Sequence, residues 1–424
     1  MDLHALPSML YADSHGRIYD HPHLRMAGFS GTEAVVIHEE DLIEMPAFSK
    51  LFYIPGSPPI GLDPDTGKME IYGEVEGVTP PCFAVAAFPE PGFVRGHLPA
   101  ADYRAKPCIL PSWAYGAVGF RDEGYWISGF RIEYNHRWDP RNFDDRGLTL
   151  AIGRFEHTGP LVEHLVACAT QNHCFAAKNL FLKRWEAPMP ISQRCNASCL
   201  GCLSLQPSGS FEASHERISF TPSKEEIVSL GVTHLREAPE AIISFGQGCE
   251  GEPLTEYRLI AQSIREIRSQ TQRGTINLNT NGSQPQRVRE IAESGLDSIR
   301  ISINSARAKL YHSYYRPKNY AFEDVVASIS LCEELGLYTM VNYLVFPGIT
   351  DQVEEVEALL GLIRETGLNF LHLKNLCIDP VLYLDKMPAP KGKGIGMRRM
   401  VELLREEFPD LQLGYFNQAV TTGG

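Results

Sequence analysis

The chain has 424 residues, too long for one ordinary domain and long enough to bury two cores. Hydrophobic residues at 43% and charged residues at 21% exclude a disordered or fibrous chain. A formal charge of −13 opposes diffuse binding to nucleic acid or to an anionic membrane, leaving only a local basic cleft for such partners.

No signal-type apolar core follows the first residues, and no apolar run is long enough to span a bilayer, so a cytoplasmic location without a membrane partner is expected. Ten cysteines are too sparse for a disulfide scaffold in a chain of this size. In a reducing compartment a tight cysteine cluster is more often a metal site.

Residues 1–180 carry short β-rich runs such as "AVVIHEE", "FAVAAF" and "YWISGFRIEY" among Pro/Gly turns, which predicts a mostly antiparallel N-terminal domain. After residue 180 strands alternate with amphipathic helices, the pattern of parallel β/α units. Strands are predicted at 186–192, 241–246, 275–282, 297–304, 338–346 and 369–376, six in all and too few for a closed eight-fold barrel. Ser223 with Glu226 reads as a capping box, Gly295 and Gly336 as helix stops, and Val353, Val356, Leu360 and Ile363 as an apolar stripe. Residues 381–424 read as a C-terminal helix and tail.

Parallel strands covered on both faces normally read as continuous apolar runs. Here "SIRISIN" sets Arg300, Ser302 and Asn304 against Ile299, Ile301 and Ile303. The pattern recurs in Asn277, Asn279 and Asn281, in Asn342, and in His372 and Lys374. The polar sides are expected to line the concave inside of a barrel, where a polar ligand would satisfy them.

The stretch "SQRCNASCLGCLS", residues 192–204, follows the first predicted parallel strand and holds Cys195, Cys199 and Cys202 in a C-x3-C-x2-C run. Three thiolates on a four-iron cluster leave one iron open, much as catalytic zinc sites keep one open position. At these residues the sequence resembles the radical S-adenosylmethionine (SAM) superfamily, over roughly residues 183 to 380. The resemblance implies a partial (β/α)6 barrel and a 4Fe-4S cluster on Cys195, Cys199 and Cys202. It also implies SAM on the open iron, reductively cleaved to a 5'-deoxyadenosyl radical that abstracts hydrogen from a substrate. The position before the third cysteine, often aromatic in the superfamily, is Gly201 here, which leaves adenine packing at that spot open.

"SFGQGCEGEPL" satisfies the glycine spacing of a dinucleotide fingerprint, but Pro253 interrupts it and the next strand ends "NTNGS" without the acidic residue such a fold wants. Gly251-Glu252-Pro253 instead resembles the end of the superfamily's Gly-Gly-Glu-Pro motif, whose carboxylate bonds the SAM ammonium group. Glu252 is the candidate and Glu250 its competitor. By the same resemblance Asn281, Ser302, Asn304 and Asn342 are candidates for the SAM ribose and carboxylate, and Arg300 or Lys374 for pairing with a carboxylate.

Cys249 and Cys377 are candidates for hydrogen-atom donation, an auxiliary iron, or plain burial. Cys82, Cys108, Cys168 and Cys174 have no regular metal spacing, so no auxiliary cluster is expected. "YHSYYRPKNYAF", residues 311–322, reads either as a substrate stack or as the packing of a β/α loop.

The resulting expectation is an enzyme acting on a peptide or small metabolite, fed by a one-electron donor such as flavodoxin or ferredoxin. A resemblance of "FGQGCEGEPL" and "VNYLVFPGITD" to radical SAM RNA methylases, and a non-catalytic iron-sulfur or zinc protein, are the alternatives. The N-terminal region is expected to cap the barrel and help form the substrate site, through "LPSWAYGAVGF" and "EYNHRWDPRNF".

Overall fold

The computed structural model describes residues 1–73, 82–105, 108–206, 213–391 and 394–420. The chain divides into two compact units. Unit 1 comprises Met1–Tyr134, Leu344–Leu360 and Leu373–Pro409; unit 2 comprises Asn135–Tyr343, Gly361–His372 and Asp410–Gly424.

Unit 1 is built on antiparallel strands. Its main sheet runs Phe93–Arg95, Gly124–Arg131, Val118–Arg121, Ser8–Ala12, Ile18–Arg25, Ile60–Leu62 and Met69–Ile71 along its longest path. Alternation sends Leu10, Ala12, Val85, Ala87, Val118 and Ile127 into one core, the period-2 pattern of a sheet with one buried face. Cys377 also lies in this unit, where its thiol donates to the Asn375 carbonyl at 3.5 Å and burial raises its pKa. The strand-rich character ends at Arg131, and residues up to 180 continue as three helices, Asp145–Gly153, Pro160–Thr170 and Phe175–Phe181, in unit 2. Their apolar residues recur at helical spacing, as with Leu161, Leu165 and Cys168, all buried.

A parallel sheet runs in strict sequence order through Glu186–Pro188, Ile242–Phe245, Thr275–Thr280, Ser298–Ile303, Tyr338–Val345, Phe370–Asn375 and Gln412–Gly414. Every predicted strand is present, each somewhat shorter than expected. Sequential parallel order with helical crossovers and unpaired outer strands is the arrangement of a partial β/α barrel. The seventh strand, Gln412–Gly414, lies in the segment expected to be helix and tail. Three residues are too few to show alternation, and the strand forms only because Phe370 pairs with Gln412 in parallel register. The helix Met397–Glu407 does precede it.

Local signals fix the helix ends. Glu226 N–H donates to Ser223 Oγ at 3.2 Å and Ser223 N–H donates to Glu226 Oε2 at 3.0 Å, the reciprocal bonds of a capping box. In helix Val353–Thr366 the buried stripe is Val356, Leu359, Leu362 and Ile363, whereas Val353 in the first turn is 51% exposed. No helix is long and apolar enough to cross a membrane among the described residues.

Candidate functional site

The polar inner face of the unit 2 strands has two levels. At the lower level most of it is satisfied from within, although Arg300 Nε is buried without a partner. Ser244 Oγ donates to Glu186 Oε1 at 2.7 Å, Asn277 Nδ2 to Ser244 Oγ at 3.1 Å and to Asn279 Oδ1 at 2.9 Å, and Ser298 Oγ to Asn277 Oδ1 at 2.9 Å. Asn417, in the segment after the last strand, donates from Nδ2 to Glu186 Oε1 at 2.6 Å and accepts from Arg300 Nη1 at 2.8 Å. The expectation that a ligand satisfies the whole face is therefore corrected: Glu186, Asn277, Ser298 and Arg300 are engaged within a buried network, as polar groups away from water must be. Arg300 in particular is tied to Asn417.

Nearer the strand C-termini the bonding is incomplete. Asn342 Nδ2 donates to Ser302 Oγ at 3.1 Å and Asn304 Nδ2 to the Leu310 carbonyl at 3.4 Å. Asn342 Oδ1, Asn304 Oδ1 and Asn279 Nδ2 are buried and have no protein partner. Three such atoms on one face are an unusual cost unless a ligand meets them.

The cysteine loop is held from two sides. On one side Ser198 N–H donates to the Tyr315 carbonyl at 2.9 Å, Leu200 N–H to the Tyr314 carbonyl at 3.0 Å, and Lys318 N–H to the Asn196 carbonyl at 2.8 Å. The tyrosine-rich segment is thus the backing of this loop. Tyr311 and Tyr315 stack at 4.5 Å between centroids, and the Tyr311 and Tyr320 hydroxyls meet at 3.1 Å. On the other side Gly251 N–H donates to the Ser192 carbonyl at 2.6 Å and Glu252 N–H to the Arg194 carbonyl at 2.7 Å. A Cβ on Gly251 would stand 2.1 Å from the Arg194 carbonyl oxygen, so the glycine is required for this close approach. Gly246, at φ +80, is equally constrained, its Cβ position lying 1.7 Å from the Asn279 carbonyl oxygen. Two of the three glycines that mimic a dinucleotide fingerprint, Gly246 and Gly251, thus serve backbone packing between loops and strands.

Burial pushes the Cys195 thiol up to about 11, helped by the Glu252 carboxylate, and raises Cys199 well above its usual value, helped by Cys195 and Cys202. The three thiols therefore feel one another. Three thiolates from one loop fit a four-iron cluster that keeps one iron open. Arg217, which the sequence reading missed, places Nη2 3.5 Å from Cys202 Sγ and donates from Nε to Ser204 Oγ at 3.0 Å.

The two glutamates of the neighbouring loop differ in what remains open. Glu250 accepts four backbone N–H bonds, from Gly246 and Gln247 on Oε1 at 2.7 and 2.8 Å and from Ile191 and Ser192 on Oε2 at 2.9 and 3.0 Å. Its lone pairs are filled, and it ties the first strand's exit to the loop. Glu252 accepts from Leu254 N–H at 3.0 Å, from Thr280 Oγ1, and from Asn281 N–H at 2.9 Å, leaving one site on Oε2. It is 4% exposed, and no cationic side chain among the described residues forms an ion pair with it. Burial pushes both carboxyls up to about 7. The Asn281 side chain donates to Asn196 Oδ1 at 2.8 Å, tying the third strand to the cysteine loop. Cys249 turns away from this centre toward His164 and Cys168.

The model of the "Radical SAM superfamily" matches residues 189–362, the span that carries all of these loops. Residues 189–362 thus carry a Radical SAM domain match. A 4Fe-4S cluster and SAM are the cofactors of that superfamily. A probable GTP 3',8-cyclase of Methanosarcina acetivorans is 26% identical over 200 residues, which are 45% of this chain and 55% of that protein. The chain thus spans about half the length of that curated relative. Among solved structures, Streptococcus suis SuiB bound to its precursor peptide SuiA aligns at TM-score 0.39 and 14% identity, covering 59% of this chain and 52% of SuiB. A radical SAM methyltransferase from Sphaerobacter thermophilus aligns at TM-score 0.38 and 15% identity, covering 54% of this chain and 64% of its own.

Proposed function

We propose that this chain is a radical SAM enzyme that holds a 4Fe-4S cluster on Cys195, Cys199 and Cys202 and binds SAM against Glu252. When bound, the cluster would supply the one electron that splits the SAM sulfonium into methionine and a 5'-deoxyadenosyl radical able to take hydrogen from a substrate. The observation that carries the reading is Glu252, a buried carboxylate without a cationic partner, near enough to Cys195 to raise that thiol's pKa. An ammonium group fills its open lone pair and compensates its charge.

The remaining roles belong to the chain's own side chains. Asn304, Asn342 and Ser302 offer neutral donors and acceptors to ribose hydroxyls and a carboxylate, and Asn304 Oδ1 and Asn342 Oδ1 are open for that purpose. Asn281 positions the cysteine loop through Asn196, and Glu250 positions the Gly251-Glu252 loop through its four backbone bonds. The Arg217 guanidinium beside Cys202 offsets the negative charge of a thiolate-bound cluster. Tyr311, Tyr315 and Tyr320 exclude water behind Cys199.

The net charge of −13 favours a peptide or small metabolite over a nucleic acid as substrate. The electron comes from a small one-electron carrier such as a flavodoxin or ferredoxin, in the cytoplasm. Cys377 and Cys249 fall in different units, and we assign neither to hydrogen transfer.

The test is anaerobic reconstitution followed by iron and sulfide analysis, electron paramagnetic resonance, and chromatography of SAM products after chemical reduction. One 4Fe-4S cluster per chain and formation of 5'-deoxyadenosine are expected, with the cluster lost in Cys195→Ala, Cys199→Ala and Cys202→Ala. Full cluster retention in any of the three variants overturns the assignment.

A further inference from the structure

A second set of soft donors converges in unit 2, away from the cysteine loop. His164 and Cys168 stand four residues apart on helix Pro160–Thr170 and so share one face. Cys249 reaches them from the loop that follows the second parallel strand. The ligand atoms of His164, Cys168 and Cys249 all lie within 4.8 Å of one another, with Cys168 Sγ 3.6 Å from His164 Nε2. Ligands on one tetrahedral zinc stand roughly 3.4–3.8 Å apart, from bonds of about 2.0–2.3 Å.

A fourth donor is at hand. His215 stands outside the group that lies within 4.8 Å but beside it: its Nδ1 is buried without a hydrogen-bond partner, and it is near enough to Cys168 for their charges to interact, so a modest side-chain movement completes the set. Its backbone is pinned where it stands: His215 N–H donates to the Leu203 carbonyl at 3.0 Å, and Ile218 N–H donates to the Cys249 carbonyl at 2.8 Å. Cys168 and Cys249 are both buried, at 3% and 5% exposure. Cys168 Sγ stands 3.6 Å from His164 Nε2 with the Cys249 thiol beside both, so the geometry presents two sulfurs next to an imidazole. A thiolate is the form that ligates a metal.

We propose that His164, Cys168, Cys249 and His215 form a closed, structural site for one zinc ion, separate from the iron-sulfur centre. Two thiolates and two imidazoles are a zinc ligand set, and four protein ligands leave no open position for chemistry. The ion joins three pieces of chain that no strand pairing connects: the helix Pro160–Thr170, the loop bearing Glu250 and Glu252, and the segment bearing Arg217. It acts as a brace for the loop that presents Glu252. The ligands escape regular spacing because they come from three segments, with only His164 and Cys168 paired in sequence.

The site is testable without activity. The full chain carrying Cys195→Ala, Cys199→Ala and Cys202→Ala, purified without chelator, is analysed for metal alongside anaerobically purified wild-type protein. About one zinc per chain is expected in both, together with a thiolate-to-cobalt charge-transfer absorption after exchange with cobalt(II). Zinc content is expected to fall at least tenfold in Cys168→Ser and Cys249→Ser. His164→Ala and His215→Ala, milder changes checked for folding by circular dichroism, are expected to release zinc to a weaker chelator than wild type requires. Absence of zinc with no cobalt charge-transfer band, full zinc in Cys168→Ser, or a Cys168–Cys249 disulfide found by mass spectrometry in place of metal each overturns the proposal.

Discussion

Replacing Glu252 by glutamine keeps the side chain's shape and removes its charge. The carboxylate is 4% exposed, accepts three hydrogen bonds and has one lone pair open. An ammonium bound there would lose its anionic partner in a buried site, a loss of about 3–5 kcal/mol. At 1.4 kcal/mol per factor of ten, the Kd for SAM rises roughly two to three and a half orders of magnitude. The fold itself loses less, because the amide can keep one oxygen acceptor while one N–H is left facing a donor, about 1–3 kcal/mol. Glu250→Gln supplies the contrast. Its four backbone donors face both oxygens, so an amide there leaves two N–H groups opposed and destabilises the fold by about 2–6 kcal/mol, twice the single-bond figure. Equilibrium dialysis of SAM against the reconstituted protein, with thermal unfolding of both variants, reads the two effects separately. A Glu252→Gln protein that binds SAM within about threefold of wild type refutes the reasoning, since removal of a buried charge partner cannot be that mild.

Gly246→Ala places a Cβ 1.7 Å from a backbone oxygen at φ +80, so the loop cannot keep its path; poor cluster incorporation and a lower Tm are expected, and normal values of both count against the packing role. Arg217→Gln removes a cation 3.5 Å from Cys202 Sγ, and the cluster's reduction potential, read by redox titration, is expected to move to a more negative value; no movement would show that the guanidinium does not act on the cluster. His234 is 3% exposed, donates to the Trp185 carbonyl at 2.7 Å, and is held down to about 4 by burial. With its folded pKa below the unfolded value of about 6.5, its contribution is complete above that pH and is lost as pH falls toward 4, by up to about 3 kcal/mol. His234→Gln can keep the bond to Trp185 and cannot titrate, so its stability, followed by denaturant unfolding, is expected to fall less between pH 6.5 and 4; superimposable pH profiles for the two proteins refute this.

The cysteine spacing, the alternation of strand and helix after residue 180 and the Gly251-Glu252-Pro253 motif were legible because each is a local property. Covalent spacing alone brings Cys195, Cys199 and Cys202 into one loop, and a half-polar strand declares its two faces through its period of two. Tertiary structure decided what long-range bonding decides. Glu250 and Glu252 are two residues apart and alike in sequence, yet one is saturated by N–H groups of Ile191 and Ser192 and the other keeps an open lone pair. The inner face reads uniformly polar, but Asn417, 140 residues beyond Asn277, helps to close its lower level, leaving Asn304 and Asn342 open above. The tyrosine segment reads equally as a substrate stack, and only its backbone bonds to Ser198 and Leu200 make it the support of the cysteine loop. Convergence of His164, Cys168 and Cys249 had no regular spacing to announce it, because donors drawn from separate segments meet only when the chain between them folds.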